Sequence, residues 1–384
     1  MPYHKLYPFA FLLLVLLMGE SACSSRELSE NEKIDLQLDS LRNELNAIKR
    51  KKFSLVFQEL HRQGKFNGNI LVIEKGQMLF EGSYGWADFR DSSRLEINTL
   101  FPLCSVSSQF TTILALLYEE EGKLDLEAYV QKYLAEWPYP EVRVKHLLSH
   151  SSGIPDYLDY FLDQSSDGFS YARNQNVMAW IKNEQPALEF FPGDRWSYSP
   201  SNYVILAEIC ESLEMQKFPE IMQEKLFFPL GMEHTFVSDA FDSTFTLKRA
   251  FGFYPDHQRL YDHNFLDKIY GERGVYSNLE DLFIWDQALY NFPGLSPASL
   301  KKLYQPLILN DSTSYPYGFS WFLGPDKKFI YQMGGWLGFR VLYLKMPQDQ
   351  ISVIVLSNDV NSMLDQIRNL AYNIMYNKPY RLPR

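Results

Sequence analysis

The sequence predicts an α+β domain whose sheet is built from both ends of the chain, with a helical region inserted between them. Asn69-Ile-Leu-Val-Ile-Glu74, a Lys75-Gly76 turn and Gln77–Tyr84 read as a β-hairpin near the start. Phe329–Met333, Phe339–Lys345 and Ile351–Leu356 read as three more strands near the end, followed by a helix around Met363–Tyr376. Between these ends the spacing is helical. Phe110, Ile113, Leu114 and Leu117 lead into Glu119–Glu121 and Gly122, and Tyr203–Leu213 is a second apolar helix. The continuous runs Ile70–Ile73 and Ile351–Leu356 predict strands covered on both faces. The 384 residues have room for two domains, but no linker-like shift or internal repeat interrupts Phe53 to Lys378. One domain over 53–378, with a tail at 379–384, is expected.

Composition narrows the function. Hydrophobic residues at 46% and charged residues at 22% make a folded core. A net charge of −10 argues against a nucleic-acid binder, which needs basic surface, although it leaves room for a local basic patch. Three Cys exclude a disulfide scaffold. At the N-terminus, Lys5 precedes the apolar run Pro8–Met18, too short for a spanning helix but suited to a signal peptide over 1–22. Ser21-Ala22-Cys23 resembles a bacterial lipoprotein cleavage box, although Glu20 departs from its usual apolar residue. The resemblance implies export to the cell envelope and a membrane anchor on Cys23. Residues 23–52 then read as a stalk, with Ile34, Leu38, Leu41, Leu45 and Ile48 spaced 4, 3, 4, 3 along one helical stripe. Self-association through that stripe is the alternative to a plain spacer.

Several catalytic signatures are missing. There is no Gly-x-Ser-x-Gly elbow, no P-loop and no Gly-x-Gly-x-x-Gly. His146 and His150 have i,i+4 spacing without a Glu between them, so they read as packing residues and not a zinc pair; no metal or cofactor is expected. Phe101-Pro-Leu-Cys-Ser-Val-Ser-Ser-Gln-Phe-Thr-Thr112, however, resembles the active-site helix of the serine β-lactamase and penicillin-binding-protein superfamily. The likeness is to its class C β-lactamase, DD-peptidase and esterase branch. Further segments follow in the same order: Asn67-Gly68-Asn69, His146-Leu-Leu-Ser-His-Ser-Ser-Gly153, Tyr198-Ser199, Pro229-Leu-Gly-Met232 and Gly334-Gly335-Trp336-Leu337-Gly338-Phe339. The resemblance covers roughly Phe66 to Asn358. It implies a β-lactamase/transpeptidase-like fold, an antiparallel sheet from both chain ends with an inserted helical region.

It also implies a serine hydrolase mechanism: a Ser activated by a Lys one helical turn on, a Tyr-x-Asn loop, and a strand carrying Lys or His, one residue, then Gly. Two backbone N–H groups, here those of Ser105 and Gly335, would form the oxyanion hole. Ser105 and Tyr198 match, but Ser108 stands at the Lys position, Pro200 at the Asn position and Gln332 at the Lys/His position. Glu272 and Arg273 replace small residues of the cleft, which Trp336 also lines. A neutral hydroxyl, a proline and an amide supply no base, and proton transfer alone contributes on the order of 10²–10⁴-fold. The sequence therefore predicts a catalytically impaired homologue that binds a small molecule or peptide. The alternative is an active hydrolase (esterase, D-amino-acid peptidase or β-lactamase type) acylated on Ser105, with Tyr198 as base if Arg273 or Arg340 lowers its pKa. Ser105 has a further reading as a helix N-cap, while Cys104 and Cys210 read as core.

Overall fold

The computed structural model describes residues 29–163, 171–238 and 249–382. The predicted signal segment and Cys23 lie outside the described residues.

Helix α1 runs from Glu30 to Arg62. Residues up to Ile48 form one compact unit and those from Lys49 onward a second. In the first, Ile34, Leu38, Leu41, Leu45 and Ile48 are each between 49% and 57% exposed, so the stripe is an uncovered helical face. Among the described residues no helix is long and apolar enough to cross a membrane.

The second unit contains the predicted sheet. Its hairpin is β1 (Gly68–Glu74) and β2 (Gln77–Tyr84). The helical region follows, including α2 (Ser108–Glu120), α3 (Ser201–Glu214) and α4 (Leu279–Ala288). The chain then returns through β3 (Phe322–Leu323), β4 (Ile330–Trp336), β5 (Phe339–Met346) and β6 (Ile351–Ser357), and ends in α5 (Leu364–Met375). The six strands lie in the order β3-β4-β5-β6-β1-β2, every neighbour antiparallel. The first strand therefore pairs with the last, Ile70 opposite Val355, which closes the two chain ends into one sheet.

The apolar runs have the predicted cause. Ile70, Val72, Val353 and Val355 face one cluster, which also holds Phe53, Val56, Phe57 and Leu60 of α1 and Ile367, Leu370 and Ile374 of α5. Leu71, Ile73, Ile354 and Leu356 face the other, which also holds the inserted helices. A strand buried on both sides has no polar face to alternate with, and every residue of β6 is buried. The edge strand β3 was not expected. Its two residues are too short a run to give a period.

Candidate active site

Ser105 is placed by a strand–turn–helix passage. Phe101–Pro102 pairs with Val275–Ser277, and the Leu103 N–H donates to the Val275 carbonyl at 2.8 Å. Cys104 then takes a left-handed backbone, φ 50°, uncommon and strained for a residue with a Cβ. A single 3₁₀ turn, Cys104–Ser107, carries Ser105 into α2. Its N-cap is Leu103, so Ser105 sits inside the turn and the capping reading is not what the structure has. Gly334 of β4 lies hard against this turn. A Cβ there would come within 3.0 Å of the Ser105 nitrogen and the Leu103 carbonyl oxygen. Gly335, the second residue assigned to the oxyanion hole, follows on the same strand and is exposed.

Ser108 and Gln332, assigned from sequence to two separate motif positions, touch. The Gln332 Nε2 donates to Ser108 Oγ and to the Ser105 carbonyl, both at 2.7 Å, while Ser108 Oγ donates to the same carbonyl at 2.8 Å. Behind them, Gln109 Nε2 donates to Gln332 Oε1 at 2.8 Å and Trp285 Nε1 donates to Gln109 Oε1 at 3.2 Å. The chain is fixed at both ends, because an indole N–H only donates and a carbonyl only accepts. Gln332 therefore presents its donor end to Ser105 and Ser108. All three of Ser108, Gln109 and Gln332 are buried. Nothing in this network titrates.

Tyr198 stands across from Ser105 on the loop before α3. His150 supports that loop, with its ring 4.6 Å from the Tyr198 ring and its Nδ1 accepting from the Ser199 N–H at 3.3 Å. Burial keeps His150 neutral, its pKa lowered to about 3, and His146 likewise at about 4. Among the described residues no group of three His, Cys, Asp or Glu side chains is placed to hold a metal. Although Tyr198 is 40% exposed overall, its hydroxyl feels Ser105 and lies in the fields of Glu272 and Arg273. Desolvation, then Glu272, push its pKa up; Ser105 and Arg273 only partly offset them. Arg340 instead donates to its local carbonyls, those of Leu337 and Phe339. The cation expected to lower Tyr198 is present in Arg273, but its carboxylate neighbour outweighs it.

Pro200 is the N-cap of α3. Asn202, two residues on, does not replace the missing amide of the loop. It is fully buried, with Nδ2 donating to the Ser199 carbonyl at 3.0 Å and Oδ1 accepting from Ser152 Oγ. Cys104 is buried, which raises its thiol to about 12, and Cys210 is buried too.

Glu272 and Arg273 are 2% and 6% exposed. Arg273 Nε pairs with Glu272 Oε1, which also accepts from Tyr157 OH at 2.7 Å. Burial is the largest influence and opposes the Arg273 charge, but Glu272 together with Tyr157 and Asp267 outweighs it and keeps the guanidinium charged. That guanidinium lies 3.6 Å from the centroid of the Trp336 ring, whose Nε1 donates to Asp267 at 2.7 Å. Asp156 belongs to the same group. Burial first, then the charges of Glu272 and Asp159, lift its pKa to about 7, against the Leu158 N–H and Arg273. The sequence reading missed Asp156, Tyr157, Gln109 and Trp285. Gln109 alone left a signal, a polar residue beside Phe110 on an otherwise apolar helix.

Comparison with known proteins agrees with this architecture. The β-lactamase family model matches residues 53–374. The chain is 33% identical over 352 residues to penicillin-binding protein 4* of Bacillus subtilis, covering 87% of this chain and 78% of that protein. It is 27% identical to the D-aminopeptidase of Brucella anthropi over 76% of this chain, spanning 56% of that enzyme's length. Among solved structures it resembles an octameric penicillin-binding protein homologue from Pyrococcus abyssi, with TM-score 0.73 and 23% identity over 85% of this chain and 77% of that one. A class C β-lactamase gives TM-score 0.71 and 19% identity over 87% and 97%. These two likenesses establish the fold.

Proposed function

The chain belongs to the β-lactamase family, and on that premise we propose that it is a ligand-binding member in which Ser105 does not complete acyl transfer. One observation carries this reading. The Gln332 amide donates to Ser108 Oγ and the Ser105 carbonyl where the family's chemistry needs a titratable amine. A serine hydroxyl is a weak nucleophile at its own pKa and needs a base to take its proton. Ser108 and Gln332 supply none, and Tyr198, raised by desolvation and Glu272, holds its own proton more tightly than a free phenol. The ligand is a small molecule or peptide in the cleft beside Ser105.

A second reading, residual hydrolysis, is favoured by the left-handed Cys104 and the close seat of Gly334. These preserve the turn and the oxyanion strand. One measurement separates the two readings. The protein is incubated with a penicillin and, separately, a fluorophosphonate, and its intact mass is read against Ser105→Ala. The expected result is no stoichiometric adduct; a full adduct absent from Ser105→Ala sinks the binding reading. We propose in addition that Cys23 carries a lipid that holds the protein at the bacterial cell envelope. Cys23→Ala should then release it from the membrane fraction.

A further inference from the structure

The first unit of the chain leaves its apolar stripe uncovered. Ile34, Leu38, Leu41, Leu45 and Ile48 of α1 advance by 4, 3, 4, 3, the heptad repeat of a helix that packs along another helix. All five are about half exposed, and a continuous apolar face of this kind marks an interaction surface. A membrane is a poor occupant. Residues 30–48 carry Glu30, Glu32, Asp35, Asp39 and Glu44 against Lys33 and Arg42, whereas helices that lie on anionic bilayers are basic on their polar face.

The flanking charges choose among the ways in which two copies can meet. With Leu38 and Leu45 at heptad position a, the residues Ile34, Leu41 and Ile48 fall at d. Asp35 and Arg42 then fall at e, and Glu30, Gln37 and Glu44 at g. In a parallel pair g faces the e of the next heptad, so Glu30 of one copy would meet Asp35 of the other; Leu at a with Ile at d also disfavours a parallel dimer. An antiparallel pair sets a against d, e against e and g against g. Sliding it so that Leu45 faces Leu41 brings Arg42 onto Arg42 and Glu44 onto Glu44. Sliding it so that Leu38 faces Ile34 brings Asp35 onto Asp35 and Glu30 onto Glu44. With Leu38 facing Leu41, no like charges within residues 30–48 are opposed. Asp35 meets Arg42 on both sides of the pair, Gln37 meets Glu44, and Leu45 packs on Ile34. Arg42 gives up an exposed pair with Asp39 on its own helix, which is worth little.

We infer that residues 30–48 are a dimerisation element, in which α1 of one copy pairs antiparallel with α1 of a second copy. Leu38 of each packs on Leu41 of the other, and Asp35 of each pairs with Arg42 of the other. Ile48 lies opposite Asn31 at the two open ends. Whether Ser105 acylates does not enter.

The test is sedimentation velocity on the full chain in density-matched detergent. The unaltered chain should be a dimer, and Leu38→Glu/Leu41→Glu should weaken it at least tenfold. Asp35→Arg and Arg42→Asp should each weaken it at least threefold, and Asp35→Arg/Arg42→Asp should return it to within twofold of the unaltered chain. In a parallel pair residues 35 and 42 never meet, so the swap would recover nothing. A monomeric unaltered chain, a dimer that survives Leu38→Glu/Leu41→Glu, or a swap without recovery overturns the inference. Should Leu38→Glu/Leu41→Glu lose helix by circular dichroism, the charge swap decides alone. A membrane is tested in a Cys23→Ala background with phosphatidylglycerol vesicles. Binding that Leu38→Glu/Leu41→Glu abolishes would give the stripe to the bilayer and overturn the pairing.

Discussion

On neighbouring rungs of β4 and β5, Ile330 faces Lys345 and Gln332 faces Tyr343. Two buried polar clusters therefore stand side by side on one face of the sheet. In the first, the Lys345 ammonium, 1% exposed, pairs with Asp286, which also accepts from Tyr343 OH at 2.8 Å and Ser352 Oγ at 2.6 Å. In the second, Gln332, Ser108 and Gln109 exchange hydrogen bonds with no charge among them. Helix α4 serves both, since Trp285 anchors the neutral cluster and Asp286 the charged one. The domain can thus bury an amine where a carboxylate and the Ser352 hydroxyl receive it. Around Ser108 the partners are an amide N–H and a carbonyl, and an ammonium there would meet a donor. The absent lysine is matched by its surroundings, which is stronger support for impaired chemistry than one replaced residue.

The largest expected effect comes from breaking the charged cluster. Asp286→Ala leaves the Lys345 ammonium buried with Ser352 Oγ, 3.2 Å away, as its remaining hydrogen-bond acceptor. The loss should be about 3–5 kcal/mol, read from urea or guanidinium unfolding. A midpoint that barely moves would mean the pair is not holding the sheet face as described.

Substitution of the neutral cluster should cost less. Gln332→Leu strips a donor from Ser108 and Ser105 and an acceptor from Gln109, worth about 1–3 kcal/mol. Ser108→Lys alone should destabilise the domain and still yield no Ser105 adduct with a penicillin. Adding Gln332→Glu to it imitates the Lys345–Asp286 arrangement and should recover at least half of that loss. If the double variant is no more stable than Ser108→Lys, the contrast between the two clusters has been drawn wrongly.

The same contrast explains what the sequence could tell. The sheet was legible because its strands are buried on both faces, so Ile70–Ile73 and Ile351–Leu356 appear as unbroken apolar runs. Helices α2 and α3 were legible from their spacing, while Ser105 and Tyr198 were assigned by their registration with the family's motifs. The hydrogen bonding around them was not. Gln109 and Gln332 are 223 residues apart and Tyr157 and Glu272 are 115 apart, and no local period links such pairs. Substitutions at 108, 200 and 332 read from sequence as three separate losses. In space two of them are partners, and the third starts a helix whose Asn202 is turned away into the loop.

A smaller, graded effect separates the neutral cluster from the carboxylate group of Asp156 and Glu272. Asp156 is lifted to about 7 by burial and by Glu272 and Asp159, with Arg273, Tyr157 and Tyr198 also in its field. An acid whose folded pKa exceeds its unfolded value of about 3.9 binds more protons when folded. It therefore stabilises most below about pH 4, and that contribution is lost as pH rises to about 7, at up to about 1.4 kcal/mol per pH unit. His146 and His150, depressed to about 4 and about 3, run the other way and lose stability as pH falls below the ordinary histidine range. Asp156→Asn removes only the first of these slopes. Its stability relative to the unaltered protein should climb between pH 5 and pH 7 and level off above. The penalty of Gln332→Leu, in a cluster with nothing to titrate, should be the same at pH 5 and pH 8. Unfolding free energies at those values test both. A flat difference for Asp156→Asn, or a sloping one for Gln332→Leu, would assign the cleft's pH response to the wrong side.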